Sequence, residues 1–350
     1  MLESIGEPGV LALFGLGGGL VLGLAARIGR FCSLGAIEDA LYGGDWRRLR
    51  MWSMAIGVAI ICTFAAAHLG FADIGNSVYL AQSWNPWASV IGGLAFGYGM
   101  ALAGNCGFGA LARVGGGDFR SFVIVITIGI SAYMALSGPL AEWRVAAFPT
   151  YPANNAPGIA HSIAEPLGFA PLLIAIAIGA VLVLVALADR GFRTSPSFVI
   201  WSAMVGLAIV SGWLGTTWVA DNGFAANPVV SHTFASPVGE TLLYLMTASG
   251  RSLSFAVGSV AGVLGGAFIG SLIKGHFRWE ACEDPRELRR QIIGAVLMGF
   301  GAAVSVGCTV GQGLSAFSVL AFSAPVTAAA IFAGAAIGLR QLITGFMPAE

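Results

Sequence analysis

The chain has 350 residues, of which 57% are hydrophobic and 10% are charged, and its formal net charge is zero. Soluble domains carry about 25% charged residues, so this composition argues against an ordinary soluble enzyme. The absence of a net positive charge argues against a nucleic-acid-binding protein. Glycine contributes 51 residues, and glycine at this density among long apolar runs is typical of closely packed transmembrane helices. The composition therefore predicts an integral membrane protein.

Eight or nine apolar stretches predict membrane-spanning helices, and with them an all-α integral membrane fold. A helix needs about 20 residues to cross roughly 30 Å of hydrocarbon. Two stretches are interrupted by glycine clusters and are expected to be broken or re-entrant helices. The N-terminal residues 1–4 are acidic rather than basic, so the first stretch is not expected to be a cleaved signal peptide. The stretches are 10–27, 52–70, 87–112, 121–140, 167–188, 197–219, 252–273, 291–313 and 316–339.

The basic residues predict the orientation of these spans. Of the 17 Lys and Arg residues, all but Arg144 and Arg251 fall in one alternating set of connections. The other connections, 71–86, 141–166 and 220–236, carry Pro, Asn and Asp instead. Since basic loops remain in the cytoplasm, the N-terminus is predicted to lie outside.

Two glycine-rich segments share a pattern that indicates an internal duplication. Residues 92–109 and 294–311 match at a constant offset of 202 residues, which is 294 minus 92. The same offset brings Glu38 onto Glu240. A single offset over such a length is hard to obtain by chance, even in a glycine-rich chain. Gly92, Gly97, Gly99, Cys106 and Gly109 fall on Gly294, Gly299, Gly301, Cys308 and Gly311.

The predicted topology makes the two copies run in opposite directions. The first glycine-rich segment runs inward and the second runs outward, which is how transporters build a midplane site between inverted repeats. We therefore predict a first repeat in 1–140, a connecting loop and span in 141–196, and a second, inverted repeat in 197–350. Glycine-interrupted segments at matching positions of the two halves predict where that site lies.

Cys106 and Cys308 occupy equivalent positions in the two halves, next to short runs of small residues. Gly104 and Asn105 precede the first cysteine, and Gly307 precedes the second. Glycine here permits the helix to unwind, and a helix that restarts after each cysteine would present its N-terminus to an anion. The alternative is that each buried cysteine is simply a small hydrophobic residue. Repeat symmetry favours a paired functional site.

The other cysteines are less informative. Five cysteines without a CxxC spacing do not indicate disulfides, and the four scattered histidines do not indicate a zinc site. Cys32 lies where the first span meets the cytoplasm and is a candidate inner station, although its repeat partner is Phe234. Cys62 is interpreted as packing, and Cys282 as a solvated loop residue.

Two acidic residues remain open to more than one interpretation. Glu38 and Glu240 could be buried functional carboxylates, because ionisable residues inside a membrane usually have a role. Glu38 is followed by Asp39 near the cytoplasmic edge, so a solvated helix N-terminus is an equal alternative for it.

Three motifs carry a resemblance to a known family. They are GRFC at 29–32, FGYGMALAGNC at 96–106, and LMGFG at 297–301 leading to GCTVG at 307–311. In order and spacing they resemble the three cysteine motifs of the YeeE/YedE family of bacterial inner-membrane sulfur-compound transporters. The resemblance extends over essentially the whole chain. Ser33, Asn105 and Gln312 depart from the usual family pattern, and they could alter which sulfur or selenium species is accepted.

The resemblance implies an hourglass-like bundle with broken helices at its waist. Thiosulfate would pass between the cysteines through transient S–H hydrogen bonds, with Cys106 outermost, Cys308 central and Cys32 innermost. A small cytoplasmic sulfur carrier of the TusA type would dock on the basic loops, and neither a cofactor nor a metal is expected. The predicted path residues are Cys32, Gly104, Asn105, Cys106, Gly307, Cys308 and Thr309, with Arg30, Glu38, Glu240 and Gln312 as further polar candidates.

Three functions are set against one another. The leading hypothesis is an inner-membrane uptake transporter for thiosulfate or a related small sulfur anion, with selenium compounds as a variant substrate. The second is a membrane-embedded sulfurtransferase that forms a cysteine persulfide, which requires a reactive thiolate. The sequence supplies no general base or basic cluster beside Cys106 or Cys308. A structural subunit without a solute path is disfavoured by the inverted duplication.

Overall fold

The computed structural model describes residues 5–151, 158–281 and 284–345. In these ranges the chain forms fifteen α-helices and two π-helical turns, and its only extended pairing is an isolated bridge between Asp118 and Glu280. The prediction of an all-α fold is confirmed. The helices are α1 Glu7–Arg27, α2 Ser33–Glu38, α3 Arg47–His68, α4 Pro86–Ala103, α5 Gly107–Gly115, α6 Phe119–Leu136, α7 Ala141–Ala147, α8 Ile159–Leu167, α9 Pro171–Leu187, α10 Arg190–Arg193, α11 Pro196–Asn222, α12 Ser236–Thr247, α13 Phe255–Ile273, α14 Pro285–Val304 and α15 Ser323–Thr344, and the π-helical turns are Asp39–Gly43 and Gly311–Ala316.

Seven stretches in the described part of the chain are long and apolar enough to cross a membrane. They are α1, α3, α4 together with α5, α6, α11, α13 and α15. The stretch predicted at 167–188 is the shorter apolar helix α9, and the stretch at 291–313 is α14, which begins among charged residues. The chain is therefore a multi-pass membrane protein, while the count of nine spans stays a prediction.

Two helices have ends that differ from the predicted spans, because the chain leaves the regular α-helix between them. The span at 291–313 stops at Val304, because Val306 and Gly307 leave the right-handed region with φ values of 55° and 151°. The span at 316–339 begins only at Ser323, because a π-helical turn and a short connection come first. The hydropathy pattern does not reveal either break, because both segments are hydrophobic on average.

Local sequence fixes several of the helix starts. The Asn85 side chain accepts hydrogen bonds from the backbone N–H groups of Trp87 at 3.1 Å and Ala88 at 3.2 Å, and Pro86 stands at the first position of α4. Asp118 caps α6 in the same way, accepting from the Arg120 N–H at 2.9 Å. Such caps satisfy N–H groups that a helix leaves without partners. Proline at the first position loses no helical hydrogen bond, because the N–H group there has no partner within the helix.

Glycines set the packing of the two central helices, α4 and α14. A Cβ atom on Gly99 would lie 2.5 Å from the carbonyl oxygen of Gly294, and one on Gly294 would lie 2.5 Å from that of Gly99. Only glycine permits this approach, which brings the two backbones together without intervening side chains. The two broken helices are thereby held side by side.

The order of elements in 7–136 returns in 196–344. Each part has a long helix, a short one, two long ones, a break with a short helical segment, and a final long helix. Helix α1 packs on α13 as α11 packs on α3, and α4 packs on α15 as α14 packs on α6. The boundaries at 1–140, 141–196 and 197–350, the inverted orientation and the hourglass shape stay predictions.

Candidate functional site

The first helix break carries Cys106. Helix α4 ends at Ala103, and Gly104 adopts the left-handed conformation with φ 76°, exposed and with open space beside it. Cys106 then caps the N-terminus of α5, its Sγ accepting from the Gly109 N–H at 3.4 Å. The cysteine itself is buried. The thiol is therefore held at the start of a helix, where backbone N–H groups favour an anion.

The second break carries Cys308 and surrounds it more fully. Its Sγ accepts from the Phe234 N–H at 3.3 Å and from the Gly311 N–H at 3.5 Å, and the Thr233 Oγ1 lies 3.5 Å away. The residue is fully buried. Val306 is left-handed here with φ 55°, at the position equivalent to Gly104. This conformation is strained for a β-branched residue, so the surroundings must hold it in place.

Gln312 provides part of that support. Its amide nitrogen donates to the carbonyl oxygens of Ser305 at 2.8 Å and Val306 at 3.1 Å, and its amide oxygen accepts from the Ser323 hydroxyl at 3.1 Å. The side chain thus satisfies carbonyl groups that the end of α14 leaves unpaired. Its amide is engaged with the protein itself, so Gln312 braces the break.

Each break also holds a buried polar atom that has no partner in the described part of the chain. They are the Asn105 Oδ1, beside Cys106, and the Thr309 Oγ1, beside Cys308. Buried polar groups are nearly always hydrogen-bonded, so such atoms at a candidate site are available to a solute. Asn105 precedes its cysteine and Thr309 follows the other one.

Cys32 lies in the connection between α1 and α3, outside the spanning helices. It is half-buried and caps α2. Burial raises the pKa of its thiol, with nearby Cys106 acting in the same direction and Arg113 and Arg48 acting against it. The structure thus brings Cys32 and Cys106 into one neighbourhood.

A cavity of about 320 Å³ with a mixed polar and apolar lining opens on the Cys308 break. Its walls include Gly307, Thr233, Tyr79 and Arg144. A Cβ atom on Gly311 would lie 2.6 Å from the Thr233 Oγ1 and 3.1 Å from the Tyr79 hydroxyl, so both polar groups reach the start of the helical segment after Cys308. Arg144 is one of the two basic residues outside the basic loops.

Sequence reasoning missed Tyr79, Thr233 and Arg144. Thr233 and Tyr79 lie on connections remote in sequence from Cys308, and neither belongs to a repeated motif. The isolation of Arg144 in a connection otherwise poor in basic residues was the one signal that could have identified it.

Of the four further polar candidates, Gln312 lies at a break, and the others lie elsewhere. Gln312 is the brace described above. Arg30 is exposed and left-handed with φ 57°. Glu38 is exposed at the junction where α2 ends and the π-helical turn Asp39–Gly43 begins, so it is not a buried carboxylate in the structure. Glu240 accepts from the Ser254 hydroxyl at 2.5 Å and lines a separate cavity of about 380 Å³.

The remaining cysteines lie apart from the breaks. Cys62 is half-buried within α3 and unpaired, and Cys282 lies outside the described residues. In the ranges that the structure describes, no three His, Cys, Asp or Glu side chains are grouped so as to hold a metal ion.

An all-helical bundle with two broken helices side by side, each break bearing a buried thiol, defines the chain as a multi-pass membrane transport protein. Residues 27–337 match the family model described as sulphur transport, so the chain belongs to this family. Its membership of the YeeE/YedE family, expected from the motifs, is thereby confirmed.

Two curated relatives extend the comparison. The chain is 28% identical over 322 residues to the thiosulfate transporter TsuA of Escherichia coli, covering 87% of each protein. It is 25% identical over 314 residues to the thiosulfate transporter TsuA of Spirochaeta thermophila, covering 87% of this chain and 91% of that one.

Proposed function

We propose that the protein imports thiosulfate across the bacterial inner membrane, through the two helix breaks and along their thiols. The observation that carries this proposal is the pair of buried cysteines, each accepting backbone N–H groups at a broken helix beside an unpartnered polar atom. The names of the two relatives support thiosulfate as the substrate.

A chain of neutral donors suits a small dianion inside a membrane. Backbone N–H groups at the starts of broken helices stabilise negative charge without a fixed cation. A protonated thiol is a weak hydrogen-bond donor, so it can hold a sulfur oxyanion briefly and release it. The raised pKa of Cys32 keeps that thiol protonated near neutral pH. No bond to the substrate forms or breaks in this scheme.

We propose the order Cys308, Cys106, Cys32 from outside to inside, in place of the order implied by the motif resemblance. The cavity with Arg144 and Tyr79 meets the Cys308 break, and both residues come from connections predicted to lie outside. Cys106 and Cys32 are neighbours, and Arg48 and Arg113, which belong to the basic set predicted to lie inside, are close enough to influence the Cys32 thiol. The side assignment rests on the distribution of basic residues, with the N-terminus outside.

The test is uptake of sulfur-labelled thiosulfate into bacteria that lack their own transporters. Cys106→Ala and Cys308→Ala are expected to abolish uptake at equal membrane expression, and Cys32→Ala to reduce it strongly. Cys62→Ala is the matched control, because Cys62 is also a free membrane cysteine but lies within the intact helix α3. Full uptake by both break variants would overturn the proposal.

The alternative of a membrane sulfurtransferase requires a thiolate and a covalent persulfide. Within the protein, the polar neighbours of the Cys106 and Cys308 thiols are backbone N–H groups and the Thr233 hydroxyl. None of these groups is a general base. A persulfide detected on Cys106 or Cys308 by mass spectrometry after thiosulfate exposure would favour this alternative. The same uptake assay with selenium-containing anions tests the variant substrate.

A cytoplasmic sulfur carrier of the TusA type remains part of the proposal. Its docking surface would be the basic loops, whose Arg residues complement an acidic protein surface. Loss of carrier binding at high salt, measured with the purified proteins, is the expected signature.

A further inference from the structure

A mostly polar cavity lies at the opposite end of α5 from Cys106, between the loop after α5 and the loop after α13. It has a volume of about 430 Å³. Four arginines and two carboxylates line it, together with His276. We call it the arginine pocket. Its charged residues are Arg27, Arg113, Arg120, Arg278, Asp118 and Glu280.

Backbone pairing builds this pocket. The Phe119 N–H donates to the Glu280 carbonyl at 3.1 Å, and the Glu280 N–H donates to the Gly117 carbonyl at 3.1 Å. This pairing joins the loop after α5 to the loop after α13. A Cβ atom on Gly116 would overlap the Arg27 guanidinium, so glycine is required there for the arginine to lie across the loop.

The carboxylates neutralise only two of the four arginines. Arg278 lies 2.7 Å from Glu280, and Arg120 lies 3.6 Å from Asp118. Within the described ranges, neither Arg27 nor Arg113 has a carboxylate at ion-pair distance.

The Arg27 guanidinium is held in place by one hydrogen bond and keeps further donors free. Its Nε donates to the Ser271 hydroxyl at 2.7 Å, which fixes the plane of the guanidinium and leaves its terminal nitrogens for another acceptor. Arg27 is half-buried, so the charge is only partly solvated. Two guanidinium groups without carboxylate partners, facing one cavity, match the charge and geometry of a dianionic oxyanion, which arginine binds in bidentate fashion.

We propose that the arginine pocket binds a negatively charged tetrahedral oxyanion group, such as sulfate, thiosulfate or a phosphate group, independently of the cysteine path. The group could come from solution or from the phosphate of an anionic lipid headgroup, because basic pockets at helix ends bind such headgroups. The occupant would join Arg27 at the end of α1 to Arg113 at the end of α5, and would so hold the ends of these two helices together.

The test uses the full chain, purified in an uncharged detergent, with sodium sulfate and inorganic phosphate as probes in calorimetric titrations. The Cys32, Cys106 and Cys308 to Ala triple variant is expected to keep one saturable site, which separates this proposal from the transport proposal. Arg113→Gln is expected to weaken binding about tenfold or more. Arg190→Gln, an exposed arginine outside the pocket, is the matched control and is expected to have no effect.

Native mass spectrometry in the same detergent distinguishes a soluble anion from a lipid headgroup as the occupant of the arginine pocket. One phosphatidylglycerol retained by the wild type and lost in Arg113→Gln assigns the pocket to a lipid headgroup, whereas sulfate binding without retained lipid assigns it to a soluble anion. Arg27→Lys, which keeps the charge but loses the planar fork, is expected to give an intermediate affinity and guards against a misfolded Arg113 variant. Absence of both anion and lipid binding, or equal binding by Arg113→Gln and Arg190→Gln, would overturn the proposal.

Discussion

The two helix breaks hold equivalent cysteines in different ways. At the first, Gly104 turns the chain in open space and the Cys106 thiol accepts a single backbone N–H. At the second, a valine makes the same left-handed turn, and the Cys308 thiol has three polar neighbours. Gln312 braces this second break, whereas the equivalent position in the first half is Ala110. The two breaks thus differ: the first is open and the second is braced.

This difference suggests a division of work within the proposed path. A rigid, donor-rich break is suited to recognising an anion, because its donors need no rearrangement when the ligand arrives. An open break at a glycine is suited to release. The predictions below test this comparison through stability and uptake.

The largest expected effect on stability is at the brace. Gln312→Leu removes three hydrogen bonds and leaves the carbonyls of buried Ser305 and half-buried Val306 without this partner, so the free energy of unfolding should fall by about 3 kcal/mol. The measurement is the thermal midpoint of the purified protein. Gln341→Leu is the control, because half-buried Gln341 makes one side-chain hydrogen bond, to the Tyr98 hydroxyl at 2.7 Å, and should lose about 1 kcal/mol or less. Equal losses would show that the second break is not braced.

An intermediate effect is expected from exchanging the two turning residues. Gly104→Val places a β-branched residue in the left-handed region and should cost about 1–2 kcal/mol. Val306→Gly relieves strain but adds freedom to the unfolded chain, so its net change should stay within about 1 kcal/mol. Thermal unfolding of both variants measures the asymmetry. A large loss in Val306→Gly with none in Gly104→Val would reverse the comparison.

The smallest effect on stability, combined with a large effect on uptake, is expected at the unpartnered polar atoms. Thr309→Val and Asn105→Leu remove buried groups that have no partner in the described chain, so the thermal midpoint should be unchanged or slightly higher. Thiosulfate uptake should fall about tenfold, because a hydrogen bond to a charged group is lost.

Thr63→Val is the matched control for this experiment. Thr63 is also buried with an unpartnered hydroxyl, but it lies within the intact helix α3. Its replacement should leave uptake unchanged. Equal loss of uptake in Thr63→Val and Thr309→Val would show that the effect is not specific to the break.

The sequence alone predicted the helical membrane fold and the two cysteine-bearing breaks, which share a pattern of residues. Hydropathy predicted the helical membrane fold, and the matched glycines predicted that Cys106 and Cys308 lie at breaks of adjacent helices. These features are encoded locally, in composition and spacing.

Features made by contacts between distant segments were not predictable in this way. The N–H group of Phe234 that reaches Cys308 belongs to the backbone and leaves no signature in residue type. The polarity of Gln312 is visible in the sequence, whereas its hydrogen-bond partners across the break are not. The arginine pocket joins loops of both halves, and the sequence shows only that both loops are basic.

The most direct test of the account is whether thiosulfate protects the cysteines of the breaks from a thiol reagent. The wild-type protein, which keeps every thiol that the proposed path requires, would be labelled with a small maleimide in membrane vesicles, with and without thiosulfate, and with sulfate as the ionic-strength control. Peptide mass spectrometry would report the labelling of Cys308, Cys106 and Cys62 separately. We expect thiosulfate to slow labelling of Cys308 and Cys106 and to leave Cys62 unaffected. Labelling of Cys308 and Cys106 that is indifferent to thiosulfate, in vesicles that still transport it, would contradict passage along these thiols.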